Sequence, residues 1–240
     1  MNSRRKFVKS SLIAGLAATV LPEQVTAAAQ TNTNHETHLP KNKHWVWINP
    51  KHDDSPEMLQ KLYASYYKAG IKGIFFEEDS EKHFRAAKAQ KLEAHRWMWT
   101  MNRRIDRLMK AHPDWYAVSR NNQSCITNPP YVDYYRWLCP TKPAVISYLE
   151  NDVQEILSKD YVDGIHLDYV RFCDIILPVN LWENYKIEQT RELPEYDFCY
   201  CKDCREAFKN FRGQDLEKIE FPEASLSWRQ FRYNAVTNIV

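Results

Sequence analysis

The stretch YVDGIHLDYVRF, residues 161–172, carries charge where a buried strand usually avoids it. Side chains alternate across a strand, so Ile165 and Leu167 share one face while His166 and Asp168 share the other, with Arg171 just beyond the end. An aliphatic face suits packing against helices, and a polar face suits an interior that meets a ligand. This alternation reads as the fourth strand of a parallel barrel, with Asp168 at its carboxyl end, where such barrels build their active sites.

The chain upstream fits that reading. Trp45, Val46, Trp47, Ile48 and Asn49 form a short strand stopped by Pro50. Asp54 or Ser55 then caps a helix with Pro56 in its first turn, Leu59, Leu62, Tyr63 and Tyr66 on one face, and Gly70 just past its end. A strand over residues 72–77, a helix over 81–90 and a strand over 93–99 follow. Strand, helix, strand, helix, strand implies a parallel sheet with helices outside it.

Residues 103–112 predict a further helical turn or two, and 113–137 a long excursion of the kind that usually serves function. Thr141 is the expected cap of a helix with Pro143 near its start and Val145, Ile146, Leu149, Val153, Ile156 and Leu157 at helical spacing. It leads to the strand over 162–168. A second, cysteine-rich excursion spans about 173–221, with a helix over 203–211, and a last helix starts at Ser225 or Ser227 and is still running at Val240. The fold class is therefore α/β, a TIM-type (β/α)8 barrel of which this chain supplies about four βα units, the amino-terminal half or a fragment. Unpaired edges on the first and fourth strands make self-association an expectation.

The amino terminus reads differently. Ser3-Arg4-Arg5-Lys6-Phe7 precedes an apolar run from Leu12 to Leu21 and then small residues to Ala29. That is the order of an export signal, too short to span a bilayer as a helix, and it resembles the twin-arginine type. Residues 1–29 are assigned to that signal, 30–43 to a polar linker and 44–240 to the barrel, which places the mature protein in the periplasm or outside the cell, delivered by the twin-arginine machinery. Cleavage removes Arg4, Arg5, Lys6, Lys9 and Glu23, so the net charge of +2 falls to −1. No basic footprint for nucleic acid remains on the mature chain, and five glycines argue against glycine-rich phosphate loops. No stable membrane insertion is expected.

Alternation places Asn49, Glu77, Trp99 and Asp168 at the carboxyl rim of the four strands, with Trp47, Trp97, His95 and His166 on the same inward side. VDGIHLDYVRF resembles the strand-four signature of the glycosyl-hydrolase-like (β/α)8 barrels common among secreted bacterial proteins, distantly related to the alpha-amylase and alpha-galactosidase barrels. WVWINP, AGIKGIFFE and LCPTKPAVISYLENDVQEIL resemble, more loosely, that family's first strand, second strand and the helix before strand four. The resemblance covers residues 44–240. It implies a hydrolase of O-glycosyl bonds with Asp168 as nucleophile or base and a carbohydrate as partner. A non-catalytic carbohydrate-binding barrel and an inactive hydrolase fragment are the alternatives. The chain departs from the family in lacking strands five to eight, which puts the partner acid in doubt.

Glycoside hydrolysis needs one carboxylate to attack or activate water and another to protonate the leaving oxygen. His166 and Arg171, close in sequence, would favour an ionised Asp168. An ion pair between Asp168 and Arg171 is the structural alternative. Glu77 and Asn49 suit hydrogen bonds to sugar hydroxyls, and Trp47 and Trp99 offer flat apolar faces with one polar handle each. Cys199, Cys201 and Cys204 lie within six residues. With Cys173 they form a structural staple, either a tetrahedral zinc site or two disulfides. Apart from that zinc no cofactor is expected.

Overall fold

The computed structural model describes residues 43–240. The expected signal and nearly all of the expected linker lie outside them. Four strands, β1 (His44–Ile48), β2 (Ile71–Phe76), β3 (Glu93–Trp99) and β4 (Gly164–Asp168), form one sheet in the order β1-β2-β3-β4, and every pairing is parallel. Consecutive order with helical crossovers is the arrangement of an arc of a barrel. Closure is not part of the described residues, where β1 and β4 are each paired on one side only.

Helix α1 (Pro56–Lys68) begins where the sequence predicts, because the Ser55 hydroxyl accepts the Met58 N–H at 3.3 Å and Pro56 occupies the first turn. The chain leaves it through Gly70 at φ 89°, a left-handed conformation that a side chain would strain. Helix α2 (Glu81–Ala89) returns the chain to β3. Leu59 and Tyr63 of α1 and Phe84 and Ala87 of α2 cover Ile74, Phe76 and Ala94 of the sheet, all buried. Burying each large apolar side chain contributes about 1.5–3 kcal/mol. Inside this core the Tyr63 hydroxyl and His83 Nδ1 lie 2.7 Å apart, so neither polar group is left without a partner.

After β3 come α3 (Asp106–Ala111), the first excursion and α4 (Pro143–Leu157), which packs beside β4. The residue before α4 is Lys142, and no side chain caps it. Thr141, the expected cap, instead turns its hydroxyl to the sulfurs of Cys139 and Cys204, at 3.1 and 3.2 Å. β4 is also shorter than expected. Tyr161 and Val162 pack against the helix-side core rather than extending the ladder, and Asp163 accepts the Ala94 N–H at 2.9 Å.

The second excursion contains α5 (Val179–Tyr185), which the sequence did not announce, and α6 (Lys202–Arg212); α7 (Leu226–Thr237) follows, capped by Ser225. It ends at Asn238 rather than continuing to Val240. Val145 and Leu149 of α4, Phe208 of α6, and Trp228 and Phe231 of α7 share a second core with Trp137, Leu138 and Phe198. A buried carboxylate ties this region together. Asp197 accepts the Tyr200 hydroxyl at 2.6 Å and Arg232 Nη1 at 2.9 Å, with Arg120 Nε at 3.7 Å. No described helix is long and apolar enough to cross a membrane.

Candidate functional site

The two faces of the sheet differ in chemistry. Ile74, Phe76, Ala94 and Met98 on the helix side are fully or nearly buried. The opposite face carries Trp45, Trp47, Phe75, His95, Trp97, Trp99, His166 and Asp168, which are half-buried except for Trp47, 53% exposed. Register stacks these residues in rows: Trp47, Phe75, His95 and Gly164 lie side by side, then Trp97 beside His166, then Trp99 beside Asp168. Two glycines make room for the rings. A Cβ built on Gly73 would stand 2.2 Å from the Trp45 indole, and one on Gly164 would stand 2.7 Å from the His95 ring.

The rings form a continuous layer. Trp45 stacks on Phe75 at 4.7 Å, Trp47 tilts against Phe75 at 4.8 Å, and His166 lies 4.5 Å from Phe75 and 5.8 Å from Trp47. Burial holds the His95 imidazole below its usual pKa, with Glu93 opposing the shift. At the carboxyl end of the strands, Trp99 meets Tyr169 at 4.9 Å and Tyr134 at 5.7 Å. The indole N–H groups of Trp97 and Trp99 are buried without an acceptor among the described residues.

Asp168 ends β4 beside Trp99. Its carbonyl accepts Thr100 N–H at 2.8 Å, which fixes the backbone, and its Oδ1 accepts the N–H of Tyr169 at 2.7 Å. Tyr169 follows in a left-handed conformation at φ 54°, uncommon for an aromatic residue and of the kind that persists where surrounding structure enforces it.

The open face thus sets Asp168 beside Trp99 and His166 5.8 Å from Trp47, with Glu77 continuing the row of Trp97 and His166. Glu77 is the first residue after β2, half-buried, its N–H donated to the Ile48 carbonyl at 3.0 Å. Asn49 is exposed at the end of β1. Arg171 departs from expectation. Its Nη1 binds Asp174 at 3.0 Å rather than Asp168, and its guanidinium lies 5.0 Å from both the Trp137 and Tyr169 rings. Three residues of spacing after a strand end allow this local pair, which leaves Asp168 without an ion-pair partner among the described residues. Tyr134 and Tyr169 were not singled out from sequence. The first comes from the long excursion, and the second is turned toward Trp99 by a backbone conformation that no residue pattern announces.

The cysteines form a second site. Cys139, Cys199, Cys201 and Cys204 are buried, with all four sulfurs within 4.8 Å of one another. Cys139 Sγ lies 3.5 Å from that of Cys201 and 3.4 Å from that of Cys204. The expectation is corrected in one member: Cys139 completes the group, and Cys173 does not belong to it. Cys173 lies just beyond β4, where its sulfur faces the Asp174 carbonyl and burial raises its thiol pKa. Cys139 ends the first excursion 62 residues before Cys201, so only folding brings it to the cluster. All six cysteines are free thiols. Sulfurs around a zinc ion at about 2.3 Å stand roughly 3.8 Å apart, against about 2.05 Å in a disulfide, and the observed spacing fits the first. Cys201 immediately precedes α6, and hydrogen bonds from the neighbouring thiols, joined by the helix amino terminus, drive its pKa far down. The group can bind a metal.

The sequence matches no family model and no curated protein. Solved structures match in shape. The beta-galactosidase from the psychrophilic Marinomonas ef1 superposes on 82% of this chain with a TM-score of 0.53 at 11% identity, and the chain spans 34% of that protein. The alpha-galactosidase of Thermus thermophilus matches 53% of this chain and 31% of its own (TM-score 0.39, 12% identity). The maltogenic alpha-amylase AmyB of Thermotoga neapolitana matches 60% and 42% (TM-score 0.41, 11% identity). These last two add nothing to the argument. At such identities the likeness concerns fold alone: the chain shares the fold of about a third of the Marinomonas beta-galactosidase.

Proposed function

We propose that the chain belongs to an exported glycoside hydrolase and that Asp168 serves as its nucleophile or general base. The observation that carries this reading is the position of Asp168: a half-buried carboxylate at the carboxyl end of β4, beside Trp99, on the sheet face that the helices leave open. Barrel enzymes place their reacting groups at that end of the strands. Trp47, Trp99 and Tyr134 supply flat faces for a sugar ring, and Asn49, Glu77 and His166 supply hydrogen-bonding groups. β3 separates Glu77 from Asp168, and Glu77 continues the row of Trp97 while Asp168 stands in that of Trp99 two residues further on, which sets their backbones roughly 12 Å apart. As a pair, Asp168 would activate water and Glu77 would protonate the leaving oxygen. Wild-type protein and Asp168→Asn are to be assayed on nitrophenyl glycosides and natural oligosaccharides. The substitution is expected to abolish hydrolysis while sparing binding. Turnover by the variant would overturn the assignment.

Zinc is the metal proposed for the cysteine group, because four thiolate-forming side chains in a tetrahedral spacing match structural zinc sites. Bound there, the ion would crosslink the end of the first excursion to the start of α6. All four protein donors are sulfurs, so no open position remains for a reacting water and the role is structural. Elemental analysis should find one zinc per chain, and a disulfide between any two of the four would refute the assignment.

A further inference from the structure

A cleft of about 510 Å3 opens between the segment that follows β4, the end of the second excursion and the exposed side of α7. It is separate from the row of residues around Asp168, but the two are linked. The Trp99 ring touches Tyr169, Tyr169 faces the Arg171 guanidinium, and Arg171 lines the cleft. The volume falls within the range of about 300–1,000 Å3 typical of small-molecule sites.

The charges in the cleft decide what it suits. Arg232 is committed to Asp197 at 2.9 Å, Arg171 to Asp174 at 3.0 Å, and Glu223 to Arg120. Two lining groups remain without an ion pair among the described residues: the Glu192 carboxylate and the Arg229 guanidinium, which donates only to the Glu223 carbonyl at 2.9 Å. Counted with their partners, the lining groups carry no net charge, which favours a neutral ligand able to meet both a free acceptor and a free donor. The cleft offers a free acceptor in Glu192, a free donor fork in Arg229, and aromatic faces from the half-buried Phe172 and the exposed Tyr233, while Trp228, 2% exposed, belongs to the core. Phe172 and Trp228 are held in place by the Arg232 guanidinium, 4.7 and 5.9 Å from their rings, and the Trp228 N–H donates to the Tyr200 hydroxyl at 3.1 Å.

We propose that this cleft binds an uncharged saccharide as an accessory site beside the rim: vicinal hydroxyls bridge Glu192 and Arg229, and the apolar face of the ring lies on the aromatic wall. The choice of a sugar over other neutral polyols rests on the hydrolase reading of Asp168; the cleft and its charge balance do not. Burial raises the Glu192 pKa, in keeping with a carboxyl group sheltered from water.

The test is equilibrium binding of lactose, maltose and cellobiose, with glucuronate and glucose 6-phosphate as charged counterparts, followed by calorimetry and saturation-transfer NMR. Neutral disaccharides should bind, the charged sugars should not compete, and Glu192→Gln, which removes a charge-assisted contact, and Tyr233→Ala, which removes an aromatic face, should each weaken binding about tenfold. Trp47→Ala, which removes a ring from the sheet face around Asp168, should leave this binding unchanged. Tyr233 is 61% exposed, so its variant keeps the test decisive if Glu192→Gln folds poorly. The proposal is overturned if no neutral disaccharide binds, if both folded variants bind as wild type, or if the acidic sugars bind more tightly. Absent hydrolysis with binding that depends on Glu192 would sink the hydrolase reading and leave this site standing. Binding lost in Trp47→Ala but kept in Glu192→Gln and Tyr233→Ala would place the sugar on the sheet face around Asp168 and refute the accessory site.

Discussion

Replacing Asp197 by Asn tests how the cysteine-rich excursion is anchored. The carboxylate is about 1% exposed and sits between Arg232 and Arg120, whose side chains are 11% and 18% exposed. One oxygen accepts Arg232 at 2.9 Å, and the other accepts the Tyr200 hydroxyl at 2.6 Å while standing 3.7 Å from Arg120. Asparagine keeps the shape, but its NH2 must point at one of these donors, and the Arg232 guanidinium loses its counter-charge while Arg120 keeps only Glu223. Breaking a buried pair in this way costs about 3–5 kcal/mol. For a protein of this size each kcal/mol lowers Tm by about 2–4 °C, so the transition should fall by roughly 6–20 °C. Urea unfolding read by far-UV circular dichroism, with the midpoint lowered and the slope unchanged, measures the effect directly. Adding Arg232→Met should recover part of the loss, because a buried pair as a whole contributes little over apolar packing. A loss below about 1 kcal/mol for Asp197→Asn would refute the view that this carboxylate is dry and paired.

Three further outcomes are expected. Gly164→Ala would drive a methyl into the His95 ring, 2.7 Å away, and should destabilise by about 1–3 kcal/mol in the same urea assay, whereas Gly213→Ala, with open space at its Cβ, costs only backbone strain. The lowered His95 pKa makes the unfolded chain the better proton binder. Stability from this group is therefore fully present above 6.5 and is lost as pH falls toward the folded value; in His95→Gln that part of the pH dependence of Tm should disappear. Chelation of the zinc proposed for the cysteine group, or Cys139→Ser, should lower Tm and expose the second excursion to protease while the ladder between β1 and β2 keeps its hydrogen-exchange protection; unchanged proteolysis would contradict a crosslinking role.

The sheet was legible because its signals are local. β3 occupies the predicted residues, and Ser55, Pro56 and Gly70 mark the ends of α1 as their chemistry requires. The inward side of every strand followed from alternation alone, which is why Trp47, Glu77, Trp99 and Asp168 fall on one face. What stayed hidden depends on closure through space. Cys139 lies far from the cluster in sequence and nothing around it has metal-ligand spacing, whereas Cys173 follows the strand end and looked nearer. Thr141 had the residue type of a cap, but the sulfurs beside it took its hydroxyl. Arg171 found Asp174 three residues on, a competition that residue type cannot rank. Asp197 gives no hint of burial, since its partners Arg120 and Arg232 come from distant segments.

The pairing of bulky rings with glycines has a mechanical corollary. Trp45 sits opposite Gly73 and His95 opposite Gly164, so on two of the three ladders an aromatic plane rests over a residue with no side chain. Sliding either strand by a pleat would bring that plane down on Phe75 or His166, where there is no gap to receive it. The glycines thus work as notches that hold neighbouring strands in step, and the alignment of Trp99 with Asp168 is set several residues before the chain reaches either of them.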